Sequence, residues 1–168
     1  MVPDVVYHWR IRYDGSSITQ QRSSLDDLRD RWATKRMSLS TVEEFGSAKV
    51  SKVFHDRVLA GDMHRYFAEI PGCSDEWWDL LVTGVREFWG PQRSLTGSTL
   101  PPAQRLIGWL VEMGRRKDAV LVMEYVAAAG GPVPQVRTPR GPRIDVPGLD
   151  PAGVDPAALA LRDFEIRV

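Results

Sequence analysis

The sequence contains a single cysteine and no apolar segment long enough to cross a membrane. Cys73 alone excludes an internal disulfide framework and a zinc site built from several cysteines. The longest apolar stretch, residues 119–129, is interrupted by Glu124 and falls short of the roughly 20 residues that a membrane span needs. Residues 1–15 carry Asp4 and lack the apolar core of a signal peptide. These absences predict a soluble cytoplasmic protein, and no residue pattern calls for a cofactor or a metal.

The sequence also has no excess of charge of either sign. Lysine plus arginine and aspartate plus glutamate number 22 each, so the formal net charge at pH 7 is zero. A neutral chain has no overall attraction to nucleic acid or to an anionic membrane, so such binding would require a local basic patch. Arginine greatly outnumbers lysine. This bias is typical of GC-rich genomes and indicates a bacterial or phage source.

The chain does contain the material for a core of its own. Its 168 residues are the size of one domain, and six tryptophans supply a large apolar area. Residues 5–13 alternate between apolar and polar side chains, which predicts a half-buried strand. Residues 158–168 alternate again near the end of the chain. We expect this C-terminal strand to pair with residues 5–13 in a small sheet.

Capping signals and helical periodicity predict five to six helices between these strands. Ser24 is a candidate N-cap for a helix that reaches about Arg36. Thr41 and Glu44 have the spacing of a capping box, which predicts a second helix from residue 41 to about residue 59. Later helices are predicted over residues 63–70, 75–89, 102–115 and 118–129. The tryptophans expected in their core are Trp77, Trp78, Trp89 and Trp109. The fold class predicted is therefore α+β and mostly helical, with the helical domain spanning residues 1–131.

Residues 132–157 contain seven of the twelve prolines and no periodic apolar pattern. This composition predicts an extended arm rich in proline and glycine between the helical domain and the C-terminal strand. Proline keeps a segment extended, so the arm would lose little entropy on binding a partner. We take Arg137, Arg140 and Arg143 as its candidate partner-binding residues. A plain connector without a partner and an arm that lies in the minor groove of DNA are the alternatives.

Lys49, Lys52 and Arg57 are candidate DNA-binding residues under a second hypothesis. Residues 41–59 could form two helices that turn at Gly46, the second presenting these cations to the major groove as in a helix-turn-helix. One continuous amphipathic helix accounts for the same residues. Nucleic acid therefore remains an alternative partner.

The adjacent residues His55 and Asp56 suggest a third hypothesis, a metal-dependent hydrolase. A His-Asp pair can ligate a metal ion that activates water. Adjacent residues on a helix point about 100° apart, however, and the expected upstream histidine is missing, since His8 lies on a predicted strand.

No nucleophile motif, phosphate loop or dinucleotide-binding motif occurs in the sequence. Without a catalytic constellation, the sequence favours a non-enzymatic protein. We expect an interaction, assembly or regulatory protein that binds a protein partner partly through the arm. The sequence leaves its oligomeric state open.

Overall fold

The computed structural model describes residues 23–90, 93–130 and 133–166. The predicted strand over residues 5–13 lies outside these ranges. The described part is mostly helical and carries one small sheet, which confirms the α+β class. Its α-helices are α1 (Leu25–Phe45), α2 (Ala48–Val53), α3 (Met63–Phe67), α4 (Asp75–Phe88), α5 (Pro102–Glu112), α6 (Arg116–Ala129) and α7 (Pro156–Leu159).

Helix α1 begins where the sequence predicts and ends later. The Ser24 side chain accepts a hydrogen bond from the backbone N–H of Asp27, as an N-cap does. The predicted break before Thr41 is wrong: the helix continues to Phe45, and the Thr41 hydroxyl donates to the Met37 carbonyl instead. Neither glycine nor proline lies between residues 36 and 41, so nothing there interrupts the helix.

Helix α1 ends before Gly46, where a continuous helix was predicted from the sequence. Gly46 is extended, with φ of −80° and ψ of 142°, and the Ser47 hydroxyl caps the short helix α2. A π-helical turn, Phe54–Val58, follows directly. The helical break that the helix-turn-helix hypothesis requires is therefore present.

The core lies where α4 and α5 pack against α1 and α6. Trp32, Trp77, Trp78 and Trp89 are buried in it, and Trp32 stacks on Phe88 with ring centroids 5.6 Å apart. Trp109 is half-buried, and the Arg115 guanidinium lies 5.7 Å from its ring. Three of the four tryptophans predicted for the core are thus buried.

The sheet forms within the predicted arm. Strands β1 (Gln135–Thr138) and β2 (Gly141–Ile144) pair as an antiparallel hairpin, with Thr138 opposite Gly141. Pro139 and Arg140 make the two-residue turn, and Gly141 has the positive φ of 110° that favours glycine.

The chain after the hairpin returns to the core. Ile144, Val146, Leu149 and Val154 are all buried in it, so this half of the arm is part of the folded body. An arm held outside the core is therefore not what the structure shows. The prediction missed these four residues because they are spaced irregularly, without a helical or strand period.

The predicted C-terminal strand also differs from the structure. Residues 156–159 form α7, and a 3₁₀ turn covers Asp163–Glu165. Among the described residues of this segment, Ala160 alone makes a β-bridge, to Arg143 of β2. Phe164 is 80% exposed, so the alternation there does not mark a buried face. Within the described ranges, no helix is long and apolar enough to span a bilayer.

Candidate functional site

A groove of about 510 Å³ lies between the hairpin and the segment that leads into α7. The hairpin turn and β2 form one wall, and residues 151–160 form the other. Four prolines line it, and because their rings fix the backbone, both walls are rigid. The other apolar lining residues are Val154, Ala157, Leu159 and Ala160. We call this concavity the hairpin groove.

Two arginines line the hairpin groove and have no acidic partner. Among the described residues, no ion pair involves Arg140 or Arg143. The Nε atom of Arg143 is buried and has no hydrogen-bond acceptor in the described part of the chain. Asp150 precedes the second wall and Asp155 precedes α7; each accepts a hydrogen bond from a backbone N–H, of Ala152 at 2.9 Å and of Ala157 at 2.8 Å. The groove therefore offers cationic donors over an apolar floor.

The three arginines predicted to bind a partner do not form one site. Residues directly opposite each other in an antiparallel pair have their side chains on the same face of the sheet. Arg137 therefore shares one face with Pro142, and Arg143 shares the other face with Val136. Arg140 is at the tip. Arg137 accordingly lines a neighbouring concavity with Ile166, which shares Thr138, Gly141 and Pro142 with the hairpin groove but neither Arg140 nor Arg143.

A second cavity, of about 430 Å³, lies between α5, the hairpin and the C-terminal residues. Its polar groups already bind one another. Glu165 forms an ion pair with the buried Arg105, with Oε1 2.6 Å from Nη1, and the Gln135 side chain donates to the Glu165 carbonyl at 2.9 Å. The hairpin groove differs because its arginine donors lack such partners.

His55 and Asp56 lie at a small polar pocket of about 210 Å³, beside Arg93 and Ser94. The Nη1 atom of Arg93 is 3.0 Å from Nε2 of His55, and Lys52 donates to the Asp56 carboxylate at 2.7 Å. Two cationic side chains thus already contact the imidazole and the carboxylate that would have to ligate a metal ion. The described residues hold no group of three or more metal-ligating side chains. The contacts give the hydrolase hypothesis no support.

We expect the pKa of His55 to lie below its ordinary value. Burial of the imidazole is the main cause, and the adjacent Arg93 guanidinium also lowers the pKa because it repels the protonated ring. Replacing Arg93 with alanine should therefore raise the pKa of His55 part of the way, since burial remains. NMR titration of the His55 imidazole in the intact chain and in Arg93→Ala measures this. An unchanged His55 titration in Arg93→Ala would contradict this assignment of the contact.

The candidate DNA-binding cations lie on the exposed helical segment after Gly46. Lys49, Lys52 and Arg57 are all exposed. Lys52 is paired with Asp56, however, and the exposed valines Val50 and Val53 share the helix with it. The structure thus brings the three cations into one region but does not form an unbroken basic surface there.

Sequence reasoning missed half of the hairpin groove. Pro151, Val154 and Pro156 form its second wall, and the sequence analysis treated them as part of a featureless arm. The Thr138-Pro139-Arg140-Gly141 stretch was an available signal, since proline after the first residue and glycine at the fourth are typical of a type I turn. No short sequence pattern, however, indicates that this turn lies beside residues 151–160.

Comparisons of the chain with protein-family models, curated proteins and solved structures find no match. The functional interpretation therefore depends on the geometry of the groove and on its charges.

Proposed function

We propose that this protein is a non-enzymatic interaction protein that binds an extended, acidic segment of a protein partner in the hairpin groove. The observation that carries the proposal is that Arg140 and Arg143 both line an apolar groove and form no ion pair with the described residues. A carboxylate of a partner would supply the opposite charge that these guanidinium groups lack there.

The shape of the groove supports an extended ligand. Its walls are a β-hairpin and a proline-rich segment made of a 3₁₀ turn, Pro151–Gly153, and α7, and its floor is apolar. An extended segment could place apolar side chains against Val154 and Leu159 while its carboxylates reach Arg140 and Arg143. Rigid walls reduce the entropy lost on binding.

Replacing Arg143 with glutamine is expected to weaken binding of an acidic peptide by about tenfold or more. Hydrogen bonds to charged groups contribute about 1.5–3 kcal/mol, and glutamine keeps only a neutral amide donor, without the positive charge or the two-donor geometry of a guanidinium. The probe is a labelled peptide of Val-Pro-Glu repeats, measured by fluorescence anisotropy at low salt. A peptide with glutamine in place of each glutamate tests the need for carboxylates.

The hairpin supplies its own matched control for this measurement. Arg137→Gln removes an equal charge from the opposite face, so it should leave the affinity nearly unchanged. Deleting residues 132–148 is not a suitable test of binding, because the deletion also removes Ile144 and Val146 from the core. Equal binding of the two peptides, equal losses in both variants, or no binding at all would contradict the proposal.

The DNA-binding hypothesis has less support from the described contacts. The break at Gly46 fits it, but Glu43 and Glu44 flank the same corner, and Asp56 neutralises Lys52. Binding of duplex DNA that falls steeply between low and physiological salt would favour it over a protein partner.

A further inference from the structure

A cavity of about 370 Å³ lies between α1 and the chain from residue 54 to residue 62. Its α1 wall consists of Arg31, Thr34, Lys35 and Ser38, which have the spacing of one helix face. The opposite wall consists of Phe54, Arg57, Val58, Leu59, Gly61 and Asp62. This volume is within the range of about 300–1,000 Å³ that small-molecule sites have. We call it the α1 cavity.

The α1 cavity carries more positive than negative charge. Arg31, Lys35 and Arg57 line it, and Asp62 is the one acidic residue among the described lining residues. Both carboxylate oxygens of Asp62 are already bound, Oδ1 by Lys35 at 2.6 Å and Oδ2 by Arg31 at 3.1 Å. One carboxylate offsets one of three cations, so the lining keeps two positive charges. Arg57 forms no ion pair within the described part of the chain.

Two neighbouring acidic residues, Asp27 and Asp56, are bound by other groups. The Tyr66 hydroxyl donates to the Asp27 carboxylate at 2.8 Å, and Lys52 donates to the Asp56 carboxylate at 2.7 Å. Neither acidic residue lines the α1 cavity. An anion inside the cavity would therefore meet the cations more closely than it would meet these carboxylates.

Several hydrogen-bond donors in the α1 cavity have no acceptor among the residues that the structure describes. They are the Nη atoms of Arg31, whose Nε donates to Tyr66, the Arg57 guanidinium and the Ser38 hydroxyl. Lys35 is only 6% exposed, and its Nζ donates to the Leu59 carbonyl at 2.5 Å as well as to Asp62. These two bonds fix the ammonium in the cavity and leave one of its three N–H groups for a ligand.

We infer that the α1 cavity binds the phosphate group of a small phosphomonoester. Such a group carries a charge of about −1.5 to −2 at pH 7 and three strong acceptor oxygens, so it matches both the surplus charge and the donors. Guanidinium groups also fit phosphate in the two-donor geometry that a single ammonium lacks. Phe54 and Val58 give the cavity an apolar side, which suits a ring next to the phosphate. This inference does not depend on the hairpin groove.

Titration of the intact chain with phenyl phosphate, followed by nitrogen–proton correlation NMR, tests the inference. We expect saturable binding with a dissociation constant below about 1 mM, and shifts of the amide signals of residues 34–38 and 57–62. Methyl phenyl phosphate keeps the ring and the phosphorus but carries a single negative charge. It should bind about tenfold more weakly, because it loses a charged acceptor.

Substitution of Arg57 tests the residue assignment. Arg57→Gln should weaken phenyl phosphate binding by about tenfold, and because Arg57 is exposed the fold should be unaffected. Arg65→Gln is the matched control: it removes an equal charge from an exposed position on α3 outside the cavity, so it should bind like the intact chain. Ser38→Ala removes only a hydroxyl and should weaken binding by about threefold.

Four results would overturn the inference. They are no saturable binding of phenyl phosphate, equal binding of the monoester and the diester, equal losses in Arg57→Gln and Arg65→Gln, and shifts confined to residues outside the cavity. A phosphoserine peptide that binds more tightly than phenyl phosphate would overturn the assignment to a small molecule, because it would indicate a phosphorylated protein instead.

Discussion

Replacing Arg105 with alanine is expected to lower the free energy of unfolding by about 3–5 kcal/mol, the cost of breaking a buried ion pair. Only 2% of the Arg105 side chain is exposed, and 10% of that of Glu165. The guanidinium donates to both carboxylate oxygens of Glu165, at 2.6 and 2.8 Å. It also donates to the carbonyls of Leu100 and Ala160. Its removal would leave the largely buried carboxylate with only the backbone N–H of Arg162 as a donor, and the two carbonyls without the guanidinium.

Urea denaturation followed by tryptophan fluorescence measures this loss. Arg65→Ala is the matched control, because Arg65 is exposed and substitutions at such positions change stability by about 0.5 kcal/mol or less. A loss below about 1 kcal/mol in Arg105→Ala would contradict the proposed importance of the pair.

The pH dependence of stability provides a second measurement on the same pair. The Arg105 guanidinium is the main reason that the pKa of Glu165 lies below its ordinary value. A lowered carboxyl pKa stabilises the folded state at pH values above the ordinary pKa of glutamate. That stabilisation is lost as the pH falls through the pKa of the folded state. Glu165→Gln should therefore flatten this part of the acid limb of the stability profile.

Replacing Gly84 with alanine is expected to cost about 3 kcal/mol, the upper part of the range for overpacking a core. A Cβ at this position would lie 2.1 Å from Cε2 and 2.5 Å from Cδ2 of Trp32. Trp32 is 1% exposed and stacked on Phe88, so its ring has no free space into which to move. Helix α1 would have to shift away from α4. Thermal and urea denaturation measure the cost.

A double-mutant cycle identifies the clash as the cause. Trp32→Leu removes the ring, so adding Gly84→Ala to it should cost less than about 1 kcal/mol. Gly72→Ala is the control, since a Cβ there meets nothing within 4 Å. If Gly84→Ala were equally costly with leucine at position 32, the loss would reflect the backbone of α4 and not the contact.

Much of the helical structure could be predicted from local signals. Ser24 caps α1 as expected, and Ser74 caps α4 directly before its predicted start at residue 75; both side chains accept a hydrogen bond from a backbone N–H three residues later. Gly130, with a positive φ of 56°, directly follows the predicted end of α6 at residue 129. Each of these signals lies within one turn of the helix end that it determines, so the sequence around it is sufficient.

The candidate site was predicted only in part. Arg140 and Arg143 were named from composition, but the sequence could not show that Arg137 lies on the other face of the hairpin. That separation depends on the strand register, and the register depends on a turn that the arm prediction overlooked. The exposure of the valines after Phe45 could not be predicted for a related reason: a valine-rich helix has the same sequence pattern whether or not another element covers it.

The sequence by itself determined the starts of α1 and α4, the end of α6 and the apolar material of the core, because caps and periodicity act between residues close in the chain. Tertiary structure alone decided that residues 144–154 enter the core and that a groove forms beside the hairpin. Arg105 and Glu165, for example, are 60 residues apart. Their pairing depends on which surfaces bury the most apolar area together, a property of the whole packed chain that no short stretch encodes.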